Sequence, residues 1–315
     1  MDKESRIYIA GHRGLVGSAV LKKLQQEGYG NIITRTHSEL DLTQQSAVEE
    51  FFESEKPDVV ILCAAKVGGI LANDKAKSDF FYINSMIANN VIHSAYKYGV
   101  KKLINLGSSC IYPRECPQPI KEEYLLSGPL EKTNEGYALA KIGALKMCWY
   151  YAQEKGCDFI SAMPTNLYGP NDNFDLESSH VLPALIRKFY EAKQKNADVI
   201  LWGDGSPYRE FLFVDDLADA IVFLMENVAP ADIGECVNIG TGEDITIKEL
   251  ANQVADIVGF KGSIVWDKSK PNGTPRKLLD VSRINSLGWY ARTSLIEGIE
   301  ITYKWFIDNM DKITR

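Results

Sequence analysis

The sequence predicts an α/β fold, a doubly wound parallel sheet followed by a smaller α/β part. Three observations predict it. Short apolar strands alternate with helical segments between residues 6 and 163. These strands are apolar almost throughout, as expected where both faces of a sheet are covered. A glycine-rich turn also separates the first strand from the first helix, as in sheets that bind a ligand at this edge.

The elements of the first half follow from apolar spacing and from the residues that end each segment. In the first helix, Val16, Val20 and Leu24 recur at helical spacing, and Gly28 suits its end. The predicted strands are Arg6–Ala10, Asn31–Thr34, Val59–Leu62, Lys102–Gly107 and Asp158–Met163. The predicted helices are Gly14–Gly28, Gln44–Glu55, Phe80–Tyr98 and Tyr137–Gly156.

After Pro164 the regular alternation stops, and shorter strands mix with helices. The predicted strands are Val199–Trp202, Glu210–Val214, Cys236–Ile239 and Ser263–Trp266, and the predicted helices are Val181–Ala192 and Ile247–Val258. We therefore expect two domains. Residues 1–165 form the sheet domain, to which segments near 211–240 return, and residues 166–315 form a mainly substrate-binding domain.

Composition and charge exclude several classes of function. The formal net charge is −7, which gives no reason to expect nucleic-acid binding. No apolar run reaches the roughly 18 residues of a membrane span, and the first residues lack the pattern of a signal peptide. The six cysteines form no CxxC pair and no metal-ligand spacing with the four histidines. We expect no metal, reduced thiols and a cytoplasmic location.

The glycine-rich turn predicts a dinucleotide site. It follows the first strand, opens the first helix and reads GxxGxxG; its residues are Gly11, His12, Arg13, Gly14, Leu15, Val16 and Gly17. Glycines here permit a tight turn and let the backbone approach a pyrophosphate at the helix N-terminus. The first domain is therefore predicted to be a Rossmann-type dinucleotide-binding domain.

The end of the second strand favours NADP over NAD. An NAD site carries an acidic residue here that binds the ribose hydroxyl. This chain has Thr34-Arg35-Thr36-His37 instead. Arg13 and Arg35 are the two cations placed to accept a 2′-phosphate. A surface position for Arg35 is the alternative.

A serine, a tyrosine and a lysine predict carbonyl chemistry. The fourth strand runs into Ser108, and Tyr137 and Lys141 stand four residues apart on the next long helix. A neighbouring ammonium is expected to lower the pKa of the phenol. Such a tyrosine donates a proton to a carbonyl oxygen as a hydride arrives, while the serine polarises the carbonyl.

These motifs, in this order, resemble the extended short-chain dehydrogenases and epimerases of nucleotide-sugars. Longer segments narrow the resemblance to the GDP-L-fucose synthase family: GHRGLVGSA, AAKVGGI, LGSSCIYP, MPTNLYGPNDNF, REFLFVDD and GTPRKLLD. The likeness covers nearly the whole chain. It implies NADPH-dependent 3,5-epimerisation and 4-reduction of GDP-4-keto-6-deoxy-D-mannose to GDP-L-fucose, by a homodimer.

The resemblance also implies roles for individual residues. Cys110 and His180 match the family's base and acid, which act on the acidic protons beside the ketone. Ser108 and Tyr137 would hold the enolate oxygen during epimerisation, and Tyr137 would protonate it during reduction. Lys141 would also bind the nicotinamide ribose. A buried structural thiol is the alternative for Cys110.

Further binding residues are implied by the same resemblance. The additional cofactor positions are Asp41, Leu42, Ala64, Leu106, Gly107, Pro164, Thr165, Asn166, Leu167 and His180. The additional substrate positions are Ser109, Asn166, Lys188, Trp202, Arg209, Lys270 and Arg276. Arginine suits bidentate phosphate contacts and an indole suits stacking on a base or sugar. The stretch Lys270–Arg276 is interpreted as a pocket loop.

Three alternatives stay open at this point. The nearest is an enzyme that reduces a related GDP-4-keto sugar, such as a 6-deoxy-heptose, with or without epimerisation. A non-catalytic dinucleotide sensor would share the fold but would not need Ser108, Tyr137 and Lys141. A dehydratase or 4-epimerase of the same superfamily is less favoured, since a dehydratase would carry an acidic residue where this chain has Ser109. In addition, His37 stands where the family often has arginine, which would soften the preference for NADP.

Overall fold

The computed structural model describes residues 1–270 and 272–313. Its strands are β1 (Ile7–Ala10), β2 (Ile32–Arg35), β3 (Val59–Leu62), β4 (Lys102–Leu106), β5 (Asp158–Pro164), β6 (Asn166–Tyr168), β7 (Val199–Trp202), β8 (Tyr208–Phe213), β9 (Val237–Ile239), β10 (Asp244–Thr246), β11 (Ile264–Asp267) and β12 (Arg276–Lys277). Its helices are α1 (Leu15–Gln26), α2 (Gln45–Glu55), α3 (Ile70–Lys75), α4 (Lys77–Lys97), α5 (Glu135–Lys155), α6 (Val181–Lys195), α7 (Val214–Asn227), α8 (Pro230–Ile233), α9 (Ile247–Val258), α10 (Ser282–Ser286), α11 (Leu295–Asp308) and α12 (Met310–Ile313).

The main sheet has six parallel strands in the order β2-β1-β3-β4-β5-β9. The predicted α/β class is confirmed. The order reverses between β1 and β3, which is the switch point where ligands bind in open α/β sheets. The sixth strand, β9, comes from the second half of the chain and pairs with β5.

Successive side chains along each strand point to opposite faces of this sheet. Ile7 and Ile9 pack in one core with residues of α1 and α7, whereas Tyr8 and Ala10 pack in another with residues of α2 and α4. Both faces are thus apolar, which explains why the strands show no alternation of polar and apolar residues. The carboxyl ends of the strands remain open for loops.

The rest of the chain builds a second part around its own core. Strand β8 pairs with β6, β10 and β12, and β7 pairs with β11. Phe189, Leu250, Val254 and Phe306 belong to the core that joins α6, α9 and α11. The two-domain division by residue number remains a prediction. Among the described residues, no helix is both long and apolar enough to cross a membrane.

Several predicted boundaries were wrong for local reasons. The predicted strand Glu210–Val214 begins at Tyr208 and ends at Phe213, because Val214 starts α7. Helix α4 begins at Lys77 rather than Phe80, since its polar first turn carries no apolar signal. Strands β10 and β12 were not predicted, because three and two residues are too few to show a period.

Candidate active site

The glycine-rich turn is built for close approach of a ligand to the backbone. Gly11 has φ of +86°, and a Cβ there would lie 2.9 Å from Cα of Ala64, just beyond the end of β3. A Cβ on Gly17 would lie 2.1 Å from the Gly11 carbonyl oxygen. Gly14 precedes α1, and no side chain caps the helix. The first N–H groups of α1 therefore face the sheet edge, where they suit a pyrophosphate.

The residues predicted to choose between NADP and NAD lie in this turn and at the end of β2. Arg13 is exposed. Arg35 is half-buried, donates to Glu55 Oε1 at 2.5 Å and to the Thr34 carbonyl at 2.8 Å, and stacks over Phe51. The exposed His37 lies 3.9 Å from Asp41. Arg13 is thus the freer of the two arginines to meet a phosphate.

Other predicted cofactor positions form the surrounding backbone. Asp41 Oδ1 accepts hydrogen bonds from the Thr43 backbone N–H and hydroxyl at 2.9 and 2.8 Å, which lower the pKa of Asp41. The carbonyl of Leu42 accepts from Asn90 Nδ2. Asp41 thus shapes the turn before α2 from within, and Leu42 fixes this turn to α4.

The predicted positions after β5 hold two sheets together. The Thr165 backbone N–H donates to the Ile239 carbonyl at 3.0 Å. Asn166 Nδ2 donates to the Glu210 carbonyl at 2.8 Å. Pro164 ends β5, and Leu167 lies in β6, which pairs with β8. This stretch thus joins the dinucleotide sheet to the second part.

Ser108 and Cys110 stand together at the end of β4. Gly107 follows the strand, and Ser108 caps the 3₁₀ turn Ser109–Ile111 by accepting from the Cys110 backbone N–H at 3.3 Å. Ser109 and Cys110 are buried. Burial raises the pKa of the Cys110 thiol, while Lys277, Ser108 and Lys141 lower it in part. The thiol is therefore enclosed among potential donors and cations.

Tyr137 and Lys141 lie on α5 beside this turn, but the expected effect on the tyrosine was wrong. Lys141 is buried, and its Nζ donates to the Leu106 carbonyl at 2.7 Å and lies 5.7 Å from the centre of the Tyr137 ring. Burial raises the pKa of Tyr137, with Cys110 adding to the shift. Burial also lowers the pKa of Lys141 to about 8. The ammonium is bound to a carbonyl and is too distant to lower the phenol pKa.

A loop from the first half of the chain contacts the segment that leads to His180. His180 occupies the N-cap position of α6, where its side chain makes no capping hydrogen bond, and desolvation lowers its pKa although the residue reaches the surface. The Gly69 N–H donates to the Ser178 carbonyl at 2.9 Å. In the same loop, Lys66 N–H donates to Asn84 Oδ1. The described contacts link His180 to the other catalytic candidates only through this loop.

Phe80 connects that loop to the tyrosine. Its ring meets Tyr137 edge-on with centroids 6.4 Å apart, and Lys66 Nζ lies 5.4 Å from its centre. Asn84 Nδ2 donates to the carbonyls of Phe80 and Lys66. The loop 64–69, which carries the AAKVGG segment, therefore links the surroundings of Tyr137, through Phe80, to the segment that leads to His180. Sequence reasoning assigned it no role beyond Ala64.

The predicted substrate residues fall into two groups on the second part. Trp202, at the end of β7, is exposed, and Lys270 Nζ lies 5.7 Å from its ring. Lys188, on α6, points to the same strand, with Nζ 3.5 Å from the Ile200 carbonyl. An exposed indole beside the Lys270 ammonium, on the strand that Lys188 also reaches, suits a nucleobase and its phosphates. Pro271, within the predicted pocket loop, lies outside the described residues.

The second group of predicted substrate residues lies on β8 and β12. In this group, Arg276 already has a partner within the protein. Arg276 is exposed and pairs with Asp244 through two contacts of 2.5 and 3.1 Å, so its guanidinium is already engaged. Arg209 is half-buried and donates to the Tyr208 carbonyl at 2.6 Å. Its register partner is Lys277.

Lys277 is the charged residue that sequence reasoning missed. It is half-buried, whereas its neighbour Arg276 is exposed. Lys277 and Cys110 line the same small cavity. Alternation along a strand would have separated the two neighbours, but β12 is too short to be recognised in the sequence. Lys277 is therefore the cation that acts most strongly on the thiol.

The site thus combines a backbone cradle for a pyrophosphate with an enclosed set of hydroxyl, thiol and amine groups. Among the described residues, no group of three or more His, Cys, Asp or Glu side chains is arranged to hold a metal ion. The groups present move protons and stabilise an oxyanion.

Comparison with known proteins agrees with this geometry. Residues 7–240 match the model of the NAD dependent epimerase/dehydratase family. The chain belongs to this NAD dependent epimerase/dehydratase family.

Members of the family are similar along the whole chain. A putative GDP-L-fucose synthase 2 of Arabidopsis thaliana is 60% identical over 98% of this chain and 94% of its own. The GDP-L-fucose synthase of Escherichia coli is 52% identical over 99% of each chain. Among solved structures, a GDP-mannoheptose C4 reductase from Campylobacter jejuni with NADP bound is 41% identical with a TM-score of 0.90, covering 98% of this chain and 99% of that chain.

Proposed function

We propose that this protein is a GDP-L-fucose synthase. It converts GDP-4-keto-6-deoxy-D-mannose to GDP-L-fucose by epimerisation at C3 and C5 and NADPH-dependent reduction at C4. The observation that carries the proposal is the grouping of Ser108, Cys110, Tyr137 and Lys141 beside the glycine cradle. The similarity to GDP-L-fucose synthases at 52 and 60% identity supports the substrate.

The chain's residues fit NADP(H). Gly11 and Gly17 leave the space that a pyrophosphate on the N-terminus of α1 requires. Arg13 is exposed beside the turn and suits the 2′-phosphate. When bound, the cofactor supplies the hydride for C4. The similarity to a reductase solved with NADP bound supports this choice.

Epimerisation needs a base and an acid on opposite faces of the sugar. The ketone acidifies the protons on both neighbouring carbons, so that removal of one leaves an enolate. Ser108 and Tyr137 donate hydrogen bonds to the enolate oxygen. Cys110 acts on one face, and His180, across the cleft, acts on the other.

Reduction uses the tyrosine as proton donor. As hydride reaches C4, the carbonyl oxygen becomes an alkoxide and takes the proton from Tyr137. The raised pKa of Tyr137 keeps the phenol protonated, which is the form that a donor requires. Lys141 lies under the ring and orients it.

The test is to incubate the protein with NADPH and GDP-4-keto-6-deoxy-D-mannose, following nicotinamide absorbance and identifying the product by NMR. We expect oxidation of NADPH with inversion at C3 and C5. Tyr137→Phe should reduce kcat at least about 100-fold, since it removes a general acid. Unchanged turnover in this variant would refute the catalytic assignment.

Reduction of a GDP-4-keto heptose is a second candidate, favoured by the similarity to a GDP-mannoheptose C4 reductase. Measuring kcat/KM for both GDP-4-keto sugars distinguishes the two candidate functions. A higher kcat/KM for the heptose, with no deuterium entering at C3 or C5 from heavy water, would favour this second candidate. We expect the opposite, because Cys110 and His180 are both present.

We also propose a cytoplasmic homodimer that pairs through α4 and α5. These helices pack side by side, and their outer faces expose Phe81, Tyr82, Leu139 and Tyr150. A second copy of the same pair would cover these side chains. The six cysteines are all free thiols, which supports a reducing compartment.

A further inference from the structure

A small cavity next to the catalytic turn is lined by the Cys110 thiol and the Lys277 amine, two groups that the mechanism above does not combine. It is lined by Cys110, Tyr112, Gln118, Glu131 and Lys277, among others. Cys110 reaches it from the turn after β4, and Lys277 reaches it from β12. The thiol and the amine thus come from distant parts of the chain to one enclosed space.

The backbone around Lys277 is fixed on two sides. The Leu278 N–H donates to Gln118 Oε1 and the Leu279 N–H to Glu210 Oε2, each at 2.9 Å. On the other strand edge, the Ile120 N–H donates to the Leu278 carbonyl at 2.7 Å. Lys277 therefore stays against the cavity and cannot swing away with a mobile loop.

Glu210 fixes the segment around Lys277 through its hydrogen bonds. Its carboxylate is fully buried and also accepts from the N–H groups of Thr241 and Gly242 at 2.7 and 2.8 Å. Three backbone donors on one buried carboxylate form a rigid junction of β8 with the following loops. The position of Lys277 is a consequence of this junction.

Among the groups around Lys277, Cys110 is the one that most favours a positive charge on its amine. Arg209, its register partner on β8, repels it, and Glu131 and Cys116 attract it. Glu131, however, already accepts from Thr133 and lies 3.5 Å from Arg114 Nε. In the described part of the chain, no carboxylate or carbonyl oxygen accepts a hydrogen bond from Lys277 Nζ.

The other cations near the thiol already have partners. Arg114 and Arg276, which line the same cavity, pair with Glu131 and Asp244. Lys141 also lowers the pKa of Cys110, but its amine is bound to the Leu106 carbonyl. Ser108 and Tyr137 are neutral neighbours. Burial lowers the pKa of Lys277 and raises that of Cys110, and Lys277 is the largest influence opposing the rise at the thiol. The two groups are thus brought towards sharing one proton.

We propose that Lys277 is a positioning residue that prepares Cys110 as the base for epimerisation, by taking the thiol proton and holding the resulting thiolate. This rests on the proposed function for the identity of the sugar, but not for the state of the thiol. The S–H bond breaks and an N–H bond forms on Lys277. The thiolate then removes a proton from the carbon beside the ketone, and the C–H electron pair moves to the carbonyl oxygen as the enolate forms.

The first experiment reads the thiol without any sugar. The pH dependence of thiolate absorbance, taken as wild type minus Cys110→Ser, isolates Cys110 from the other five thiols. Lys277→Met, which keeps the volume and removes the charge, should raise the pKa of Cys110 by about one unit or more, an at least tenfold loss of thiolate. The exposed Lys261→Met is the matched control and should leave the titration unchanged.

Lys277→Arg separates the charge from the proton transfer. Arginine keeps a positive charge but cannot accept a proton. We expect this variant to restore part of the thiolate that Lys277→Met loses. Binding of NADPH with normal affinity to each variant shows that the fold and the first domain are intact.

The second experiment compares two half-reactions. Deuterium entry at C3 and C5 from heavy water should fall about tenfold or more in Lys277→Met, with its pH profile moved to higher pH, while reduction of a substrate already epimerised changes little. If Lys277 only binds phosphate, KM rises for both half-reactions and the Cys110 titration is unchanged; that result would overturn the proposal. Failure to form GDP-L-fucose would sink the proposed function, whereas the thiol titration would still test the effect of Lys277 on Cys110 independently.

Discussion

Lys141 shows how burial alone can set the working pH of a catalytic group. The amine is enclosed between β4 and α5, and burial lowers its pKa to about 8. Cys110 and Cys63 favour the ammonium and oppose part of this change. The charge near Tyr137 is therefore present at neutral pH and is lost as pH rises through about 8.

We expect kcat/KM for reduction to fall above pH about 8, because this parameter reports ionisations of the free enzyme. The NADPH absorbance assay between pH 6 and 10 measures it. Lys141→Met should lower kcat/KM at neutral pH and abolish its decrease above pH about 8. A decrease that persists in Lys141→Met would assign the ionisation to another group.

Asp172 is a second residue whose environment penalises charge. Its Oδ2 is buried and, within the described residues, has no hydrogen-bond partner. Burial raises its pKa from 3.8 to about 7, although the Asn173 N–H opposes the rise. The folded form keeps a proton that the unfolded chain loses. The stability this gives is complete below about pH 4 and is lost as pH rises to 7.

Asp172→Asn should therefore stabilise the protein above pH 7 by about 1 kcal/mol or more, since the amide mimics the protonated carboxyl. The gain is smaller than the full shift would give, because this side chain is partly exposed to water. Thermal unfolding at pH 8 and at pH 4.5 measures the effect. The Tm of the two proteins should differ at the higher pH and converge at the lower; equal differences at both would contradict the explanation.

At the scale of elements, the turn between β1 and α1 needs glycine because a side chain would not fit there, and not only because glycine is flexible. Gly17 lies inside the first helix and has no unusual φ, yet a Cβ there would meet the backbone of Gly11 and His12 at 2.1 to 2.8 Å. Backbone cannot move aside as a side chain can. The turn would have to open, and the cradle for the pyrophosphate would widen.

Gly17→Ala should raise the Kd for NADPH at least about tenfold, as the turn loses its close contact with the pyrophosphate. Fluorescence titration with NADPH measures it. Gly30→Ala is the control, because a Cβ on Gly30 meets nothing within 4 Å. Similar affinities in the two variants would show that the turn tolerates a side chain.

For the whole molecule, the outer face of α4 and α5 is the feature that a single chain does not explain. Tyr82 and Tyr150 are 61% and 52% exposed. Tyr96 stacks on Tyr151 at 4.7 Å, and His93 Nδ1 lies 2.7 Å from the Tyr151 hydroxyl. Exposed aromatic side chains on one helix pair are typical of an interface.

We expect Tyr82→Glu together with Tyr150→Glu to convert the proposed homodimer to a monomer, because two charges would be buried without partners. Sedimentation velocity measures the mass. Tyr290→Glu, another exposed tyrosine at 58%, is the control and should leave the dimer intact. A monomeric wild-type protein would contradict the proposed assembly outright.

The sequence by itself determined the alternating elements and the glycine turn, because each depends on spacing within one segment. It also predicted the set of Ser108, Tyr137 and Lys141 from their places in successive elements. The family motifs likewise pointed to Cys110 and His180. Short elements such as β12 carried no periodicity, so the place of Lys277 could not be predicted.

Only the tertiary structure decided which charges meet and how strongly they are desolvated. In the folded protein, Arg35 pairs with Glu55 and Arg276 pairs with Asp244. Burial raises the pKa of Tyr137 rather than lowering it. The tertiary structure also brought Lys277 to the cavity of Cys110, from 167 residues later in the chain (277 minus 110). Burial and long-range pairing depend on all the packed elements together, and no single segment of sequence contains that information.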